Sequence, residues 1–416
     1  MRPSFLKMLS DVLTFRREQW LSPAGLQELQ GKKLARIIEA AKKTKFYSKR
    51  ITLATSKPHS ISSPSPILSE IPITTKDDIR SAPQDFLTKT ASLHKASTSG
   101  SSGVPIDVYF DKNALSARAA GLAFAQTEFG RSPFDLFAEI SDAEYSSLPH
   151  LASLGIFRKM HLSVFEDEEK NFALLQKAKP DILGWYPSIV GMMARLNEEA
   201  GNPVNLKSVF CGAEMLTKER RRLIGESFDC PVFNQYGSVE FGTIAFECKN
   251  HSLHVHPNCL AEIVDSQGRP TNGLGRLVIT GLFNSAMPLL RYAVGDLAEW
   301  GKCGCGRGLP VLGRLEGRED DLITLPSGKK RSARSINLLD DIREVKSYQI
   351  VQEKEGIFVF RYVPAKGFDE KARKEIAKRI KRGCLGERIT VEFEEANSIE
   401  KGRTGKISTV VSKVRK

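Results

Sequence analysis

Cysteine is scarce in this sequence: seven residues in 416, scattered along the chain. That is too few and too dispersed for a disulfide scaffold. Long apolar runs are missing as well, and none approaches the ~18 residues that a membrane-spanning helix needs. The first twenty residues are broken by Lys7 and Asp11, so they lack the unbroken apolar stretch of a secretory signal. These absences lead to the expectation of a cytoplasmic protein with no membrane partner. No Gly-Lys-Ser/Thr follows the chain's richest Ser/Gly loop, which excludes a Walker-type phosphate loop.

What remains is ordinary for a soluble globular protein, with 41% hydrophobic and 27% charged residues. The length suits two domains and a sizeable core. The net charge is +13, and residues 319–416 hold 23 basic and 16 acidic side chains of the total. Basic and acidic residues are mixed almost everywhere. A solvated surface, drawn to polyphosphate ligands, accounts for such mixing better than nucleic-acid binding does.

Alternating elements run through the first 317 residues. Gln27–Phe46, Ala114–Phe129 and Ser188–Gly201 read as helices, and residues 134–140, 181–185 and 208–211 as short buried strands. A Ser/Pro-rich loop is expected over 56–75. Residues 260–265 and 275–280 read as paired strands. The last hundred residues read as a compact βαβ-like unit, with strands at 348–352, 357–362 and 389–393 and an amphipathic helix at 368–382. The expected fold class is α/β: a large multi-layer domain of sheets and helices over 1–317, and a small mobile α+β domain over 318–416.

Five short stretches could carry chemistry. Ser97-Thr-Ser-Gly-Ser-Ser-Gly-Val-Pro105 alternates hydroxyls and glycines where backbone N–H groups can wrap a phosphate. Alone, such a run would be a flexible linker, but the strand-like residues 104–110 set it inside a folded domain. Asn234-Gln-Tyr-Gly-Ser-Val-Glu240 offers a ring for stacking on a base and a carboxylate for Mg²⁺; alone, it would be a plain turn. Arg291-Tyr-Ala-Val-Gly-Asp-Leu297 reads as a strand ending in Gly-Asp, whose carboxylate could accept two ribose hydroxyls. Gly317-Arg-Glu-Asp-Asp-Leu-Ile323 lies at the domain boundary, and Gly402-Arg-Thr-Gly-Lys-Ile407 presents Lys406 in a glycine-bounded turn.

Each stretch is weak alone, but their order and spacing resemble the motifs of the adenylate-forming superfamily: acyl-CoA synthetases, luciferase and peptide-synthetase adenylation domains. The resemblance spans nearly the whole chain. The short length, Glu18-Gln-Trp-Leu-Ser-Pro23 and Ile71-Pro-Ile-Thr-Thr-Lys-Asp-Asp-Ile79 resemble the phenylacetate–CoA ligase branch, including relatives named for capsule biosynthesis.

The resemblance implies roles. Thr98, Ser99, Gly100, Ser101, Ser102 and Gly103 would hold the β- and γ-phosphates of ATP. Gly212, Ala213 and Glu214 with Tyr236 and Gly237 would enclose the adenine. Glu240 would bind Mg²⁺, Asp296 would hold the ribose with help from Arg318, and Asp320 would be the hinge. Lys406 would stabilise attack of the substrate carboxylate on the α-phosphate. Gly184-Trp-Tyr-Pro-Ser188 would lie beside the acid pocket, so Trp185, Tyr186 and Phe241 suit an aromatic or small apolar acid. Three positions depart from the family pattern: Val104-Pro105-Ile106 lacks the usual Lys or Arg after the phosphate loop, Val239 replaces a Thr, and Ala293 replaces an Arg.

Cys248, His254, Cys303 and Cys305 offer three thiols and an imidazole, a tetrahedral set for structural Zn²⁺. His251, His256 and Cys259 are alternates. The implied activity is ATP-dependent formation of an acyl-adenylate, with pyrophosphate release, and acyl transfer to coenzyme A. An amine, hydroxyl or carrier-protein acceptor stays open, and a non-enzymatic polyanion-binding protein is the remote alternative.

Overall fold

In the computed structural model, residues 1–55, 65–88, 92–98, 105–142, 149–201, 204–318, 322–336, 339, 342–402 and 407–414 are described. They gather into two units. The first comprises Met1–Phe129 with Asn234–Leu315, the second Gly130–Phe233 with Glu316–Lys416. Among the described residues, no helix is long and apolar enough to cross a membrane.

The first unit is built on antiparallel strands. Cys259–Val264, Gly275–Gly281, Tyr292–Gly301, Val311–Arg318, Leu253–Val255, Gly242–Glu247 and Val232–Ser238 neighbour one another in that order. The expected pairing of 260–265 with 275–280 is present, with Ile263 opposite Leu277. Helix Lys112–Glu128 starts where the Asp111 carboxylate accepts from the Ala114 N–H. It packs between the sheet and the helix Phe5–Glu18. The helix expected over 27–46 begins earlier, at Pro23, because the Ser22 hydroxyl accepts from Gly25 N–H and proline suits the first turn. It ends at Ala41. The loop expected over 56–75 contains a short helix, Ser65–Glu70, and residues 56–64 lie outside the described residues.

The second unit carries a parallel sheet in the order Lys159–Ser163, Phe137–Ser141, Ile182–Gly184, Ser208–Cys211. Every residue of the last three strands is buried, as expected of a parallel sheet covered on both faces. Helices Glu168–Ala178, Pro187–Glu199 and Lys218–Phe228 supply the covering. The C-terminal part adds a sheet in the order Thr390–Glu395, Ile357–Pro364, Val345–Lys354, Val410–Ser412. The expected βαβ arrangement is there: Ile357–Pro364 runs parallel to Thr390–Glu395, with helix Glu370–Gly383 between them in sequence. Strand Val410–Ser412, parallel to Val345–Lys354, is an addition to that expectation.

This C-terminal part has a core of its own, built from Ile323 to Val410, around Ile350, Phe358, Phe360, Ile376 and Ile380. Polar contacts attach it to the rest of its unit. Arg195 donates to the carbonyls of Val345 and, at 3.1 Å, Ile342. Lys401 donates to the Val164 carbonyl at 2.9 Å and to Glu168 at 2.8 Å. The fold is thus mixed α/β, with a large sheet-rich N-terminal region and a small C-terminal domain.

Candidate functional site

Tyr236 sits on strand Val232–Ser238, which pairs with Gly242–Glu247 across a turn carrying Val239, Glu240 and Phe241. The register slips between Tyr236 and Gly237. A side chain at Gly237 would collide with the Gly242 carbonyl, and Gly242 itself has φ +68°, so the turn depends on both glycines. This tight turn drives Glu240 inward, where it is buried and accepts a 2.8 Å hydrogen bond from the Tyr292 hydroxyl.

Asp296 lies in a bulge of strand Tyr292–Gly301. Arg276 pairs with Leu297 but Val278 with Ala293, so this strand carries two extra residues there, and Gly295 takes φ +92°. The strand does not end at Gly-Asp as its sequence suggests; it continues to Gly301, and the bulge displaces Asp296 from the regular pleat. The Tyr236 phenol donates to Asp296 Oδ2.

What holds this strand has no local signature in the sequence. Arg291 is buried, with φ +45°. Its guanidinium donates to Glu262 at 3.2 Å and to the carbonyls of Ser69, Ile71 and Gly268. The loop after Ile71 is fixed as well, since Thr74 N–H donates to Arg291 O and Ala293 N–H to Thr74 O, both at 2.9 Å. The Ile71–Ile79 stretch thereby positions the strand that bears Asp296.

Thr98 closes the base of a hairpin: its N–H donates to Ile106 O and Ile106 N–H to its hydroxyl, both at 3.0 Å. Ser99, Gly100, Ser101, Ser102, Gly103, Asp320 and Lys406 lie outside the described residues, as do the side chain of Arg318 and residue 104.

In the second unit, Glu214 follows strand Ser208–Cys211, with Ala213 at φ +66°. Glu214 Oε2 accepts from Ser188 N–H at 3.1 Å, at the start of helix Pro187–Glu199, which has no capping side chain of its own. Its Oε1 is buried and has no hydrogen-bond partner among the described residues. A Cβ on Gly184 would come within 2.8 Å of both Phe137 and Phe210, so only glycine fits before Trp185. Trp185 has φ +89°, and its indole N–H donates to Glu139 at 3.2 Å. Of the three residues expected at the acid pocket, Trp185 is half-buried, Tyr186 is core, and Phe241 is core beside Tyr292.

The cysteines converge. The ligating atoms of Cys248, His254, Cys303 and Cys305 all lie within 4.8 Å of one another. Cys248 Sγ is 3.6 Å from Cys303 Sγ, and Cys305 Sγ is 3.3 Å from His254 Nε2. A tetrahedral zinc would set sulfur–sulfur edges of about 3.8 Å and sulfur–nitrogen edges of about 3.5 Å, from its usual bond lengths. Burial pushes the Cys303 thiol up, but hydrogen bonds involving Ser252, His254 and Cys305 outweigh it and hold it at about 6. Arg307 donates to Cys305 Sγ at 3.4 Å and pairs with Glu128 at 2.6 Å. The alternates stand apart from this cluster. His256 is enclosed by Phe15, Phe124 and Phe246, His251 turns to Glu247, and Cys259 is a buried thiol.

Comparison with known proteins adds to this geometry. The CapK C-terminal domain family matches residues 325–413. Protein CapK of Staphylococcus aureus is 25% identical over 91% of this chain and 84% of its own length. A phenylacetate–coenzyme A ligase of Thermus thermophilus is 27% identical over 70% of this chain and 69% of its own. The crystal structure of a 2-hydroxyisobutyryl-CoA ligase in the postadenylation state superposes with a TM-score of 0.77, at 19% identity, over 95% of this chain and 91% of that one. The chain is similar to proteins of the adenylate-forming superfamily, and among them to the phenylacetate–CoA ligases and CapK. Its fold is that of the adenylate-forming CoA ligases.

Proposed function

We propose that the protein uses ATP to convert a small carboxylic acid into an acyl-adenylate, and then passes the acyl group to coenzyme A. The observation that carries this reading is the pair of tyrosine-held carboxylates, Tyr236 on Asp296 and Tyr292 on Glu240, at the motif positions where nucleotide and metal roles are expected.

In the first step a carboxylate oxygen bonds to the α-phosphorus, the bond to the β-phosphate oxygen breaks, and its electron pair leaves with pyrophosphate. Two anions must meet, and Lys406 offsets their charge. A Mg²⁺ ion held at Glu240 would neutralise phosphate charge. Asp296, held by the Tyr236 phenol, takes the ribose hydroxyls with help from Arg318. Gly212, Ala213, Glu214, Tyr236 and Gly237 take the adenine, and the 98–103 loop takes the β- and γ-phosphates. In the second step the coenzyme A sulfur bonds to the acyl carbon and AMP leaves. The 318–416 domain pivots at Asp320 between the two steps; its separate core and polar attachment suit such movement.

Trp185, the half-buried one of the three aromatic candidates, lines the acid pocket. The acid is small and carries an aromatic or apolar group, in keeping with relatives named for phenylacetate. Structural zinc at Cys248, His254, Cys303 and Cys305 completes the reading, since four protein ligands leave no open position for substrate.

A second acceptor is worth testing, because the relative that aligns over 91% of the chain is named CapK and not as a CoA ligase. In that reading adenylation is unchanged, and an amine, hydroxyl or carrier protein receives the acyl group. Incubation with ATP, Mg²⁺ and a panel of acids, with coenzyme A or amines as acceptor, distinguishes the two. AMP with an acyl-CoA supports the first reading, AMP with an amide or ester the second, and ADP with phosphate contradicts both.

A further inference from the structure

Helix Phe5–Glu18 has two apolar faces. The inner one is buried, with Phe15 against Phe124 and His256. The outer one is open: Leu6, Leu9 and Leu13 are 78%, 44% and 49% exposed, and just past the helix Trp20 is 53% exposed. At about 100° per residue the three leucines fall within about 60° of one another, with Arg16 on one flank and Arg17 on the other. A contiguous exposed apolar stripe on a soluble protein marks an interaction surface.

The charges around the stripe indicate what it meets. Lys7 pairs with Asp11 at 2.9 Å and Glu18 with Lys33 at 2.7 Å, so both carboxylates of the helix are taken. Arg2, Arg16 and Arg17 are exposed and have no ion pair among the described residues. The whole chain carries +13. A second copy meeting this face would add its own unpaired Arg2, Arg16 and Arg17, while both carboxylates of the helix are already paired, which disfavours self-association.

We propose that this face docks on an anionic lipid surface, with the helix lying in the plane of the headgroups. Leucines would enter the acyl boundary, Arg2, Arg16 and Arg17 would meet lipid phosphates, and Trp20 would sit at headgroup level. The expectation of no membrane partner came from the absence of a spanning run, and an interfacial helix needs none.

The test is flotation of the full chain with vesicles of phosphatidylcholine alone, and of phosphatidylcholine and phosphatidylglycerol in equal parts. The protein floats with the mixed vesicles, stays behind with the neutral ones, and is released by high salt. The triple variant Leu6→Gln, Leu9→Gln, Leu13→Gln and the double variant Arg16→Glu, Arg17→Glu each lower partitioning about tenfold or more. Circular dichroism and Tm stay at wild-type values in both, because the altered side chains are exposed. Equal partitioning onto both vesicle types overturns the proposal, as does equal binding by wild type and both variants. A wild-type dimer in sedimentation velocity that the leucine changes dissociate also overturns it, since a second copy then covers the face.

Discussion

The Tyr292 hydroxyl donates to Glu240 Oε1 across 2.8 Å, and both side chains are buried. The strand that leads to Asp296 and the turn that bears Glu240 are thereby tied to each other. Glu240→Gln keeps the shape and removes the charge, so it should weaken use of Mg²⁺·ATP at least about tenfold, as losing a charge-assisted hydrogen bond does. Tyr292→Phe leaves the carboxylate in place but unheld, and should cost stability of about 1.5–3 kcal/mol with a smaller kinetic effect. Steady-state kinetics over a Mg²⁺ titration, with thermal melts, checks both. Wild-type kinetics in Glu240→Gln would remove this residue from the reaction.

Asp296 answers to Tyr236 in the same way. Asp296→Ala should lower nucleotide affinity about tenfold or more, since it removes an acceptor with two oxygens. Tyr236→Phe should lower it less, because the ring remains to stack. Calorimetric titration with a nonhydrolysable ATP analogue measures both, and a larger loss in Tyr236→Phe than in Asp296→Ala would contradict the assignment.

Much of the fold was legible because some residues admit one local solution. Residues 208–211 read as a short buried strand and 114–129 as an alanine-rich helix, and the structure has strand Ser208–Cys211 and helix Lys112–Glu128, the latter begun by Asp111. The metal-site candidates were legible from residue type alone, and the fold brings those four together. Pairings such as Tyr236 with Asp296, sixty positions apart, were not, because nothing local encodes a partner reached through sheet order. Arg291 was hidden for the same reason, as its partners lie at Ser69, Ile71, Glu262 and Gly268. Helix Phe5–Glu18 was obscured by having apolar residues on both faces, which blurs the period that marks an amphipathic helix.

Zinc should stabilise the fold without taking part in chemistry. Protein purified without added metal is expected to carry close to one zinc per chain, and less than about a tenth of an equivalent of any transition metal in folded protein would reject the site. Cys303→Ser should lower Tm more than it lowers turnover. A strong chelator should lower the wild-type Tm and leave the Tm of a metal-free Cys303→Ser variant unchanged.

Alkaline pH tests the packing that positions the Asp296 strand. Tyr47 is fully buried, sharing a 2.9 Å hydrogen bond with Thr74 and accepting from Leu290 N–H at 3.0 Å. Burial pushes its phenol well above the usual tyrosine range. The fold holds the protonated form, so its contribution is complete below the unfolded value of about 10 and declines as pH rises beyond it. Wild-type Tm should fall more steeply above about pH 10 than that of Tyr47→Phe, which is less stable at neutral pH. Parallel slopes would show that Tyr47 is not responsible.

Adenylation of an acid is read out by acid-dependent ATP–pyrophosphate exchange. Labelled pyrophosphate should enter ATP only when Mg²⁺ and a suitable carboxylic acid are present, with no need for coenzyme A. Lys406→Ala should slow this exchange about a hundredfold or more, as expected for losing roughly 3 kcal/mol of charge stabilisation. No acid-dependent exchange across a broad panel would rule out adenylation as this protein's reaction, and exchange unaffected by Lys406→Ala would remove Lys406 from it.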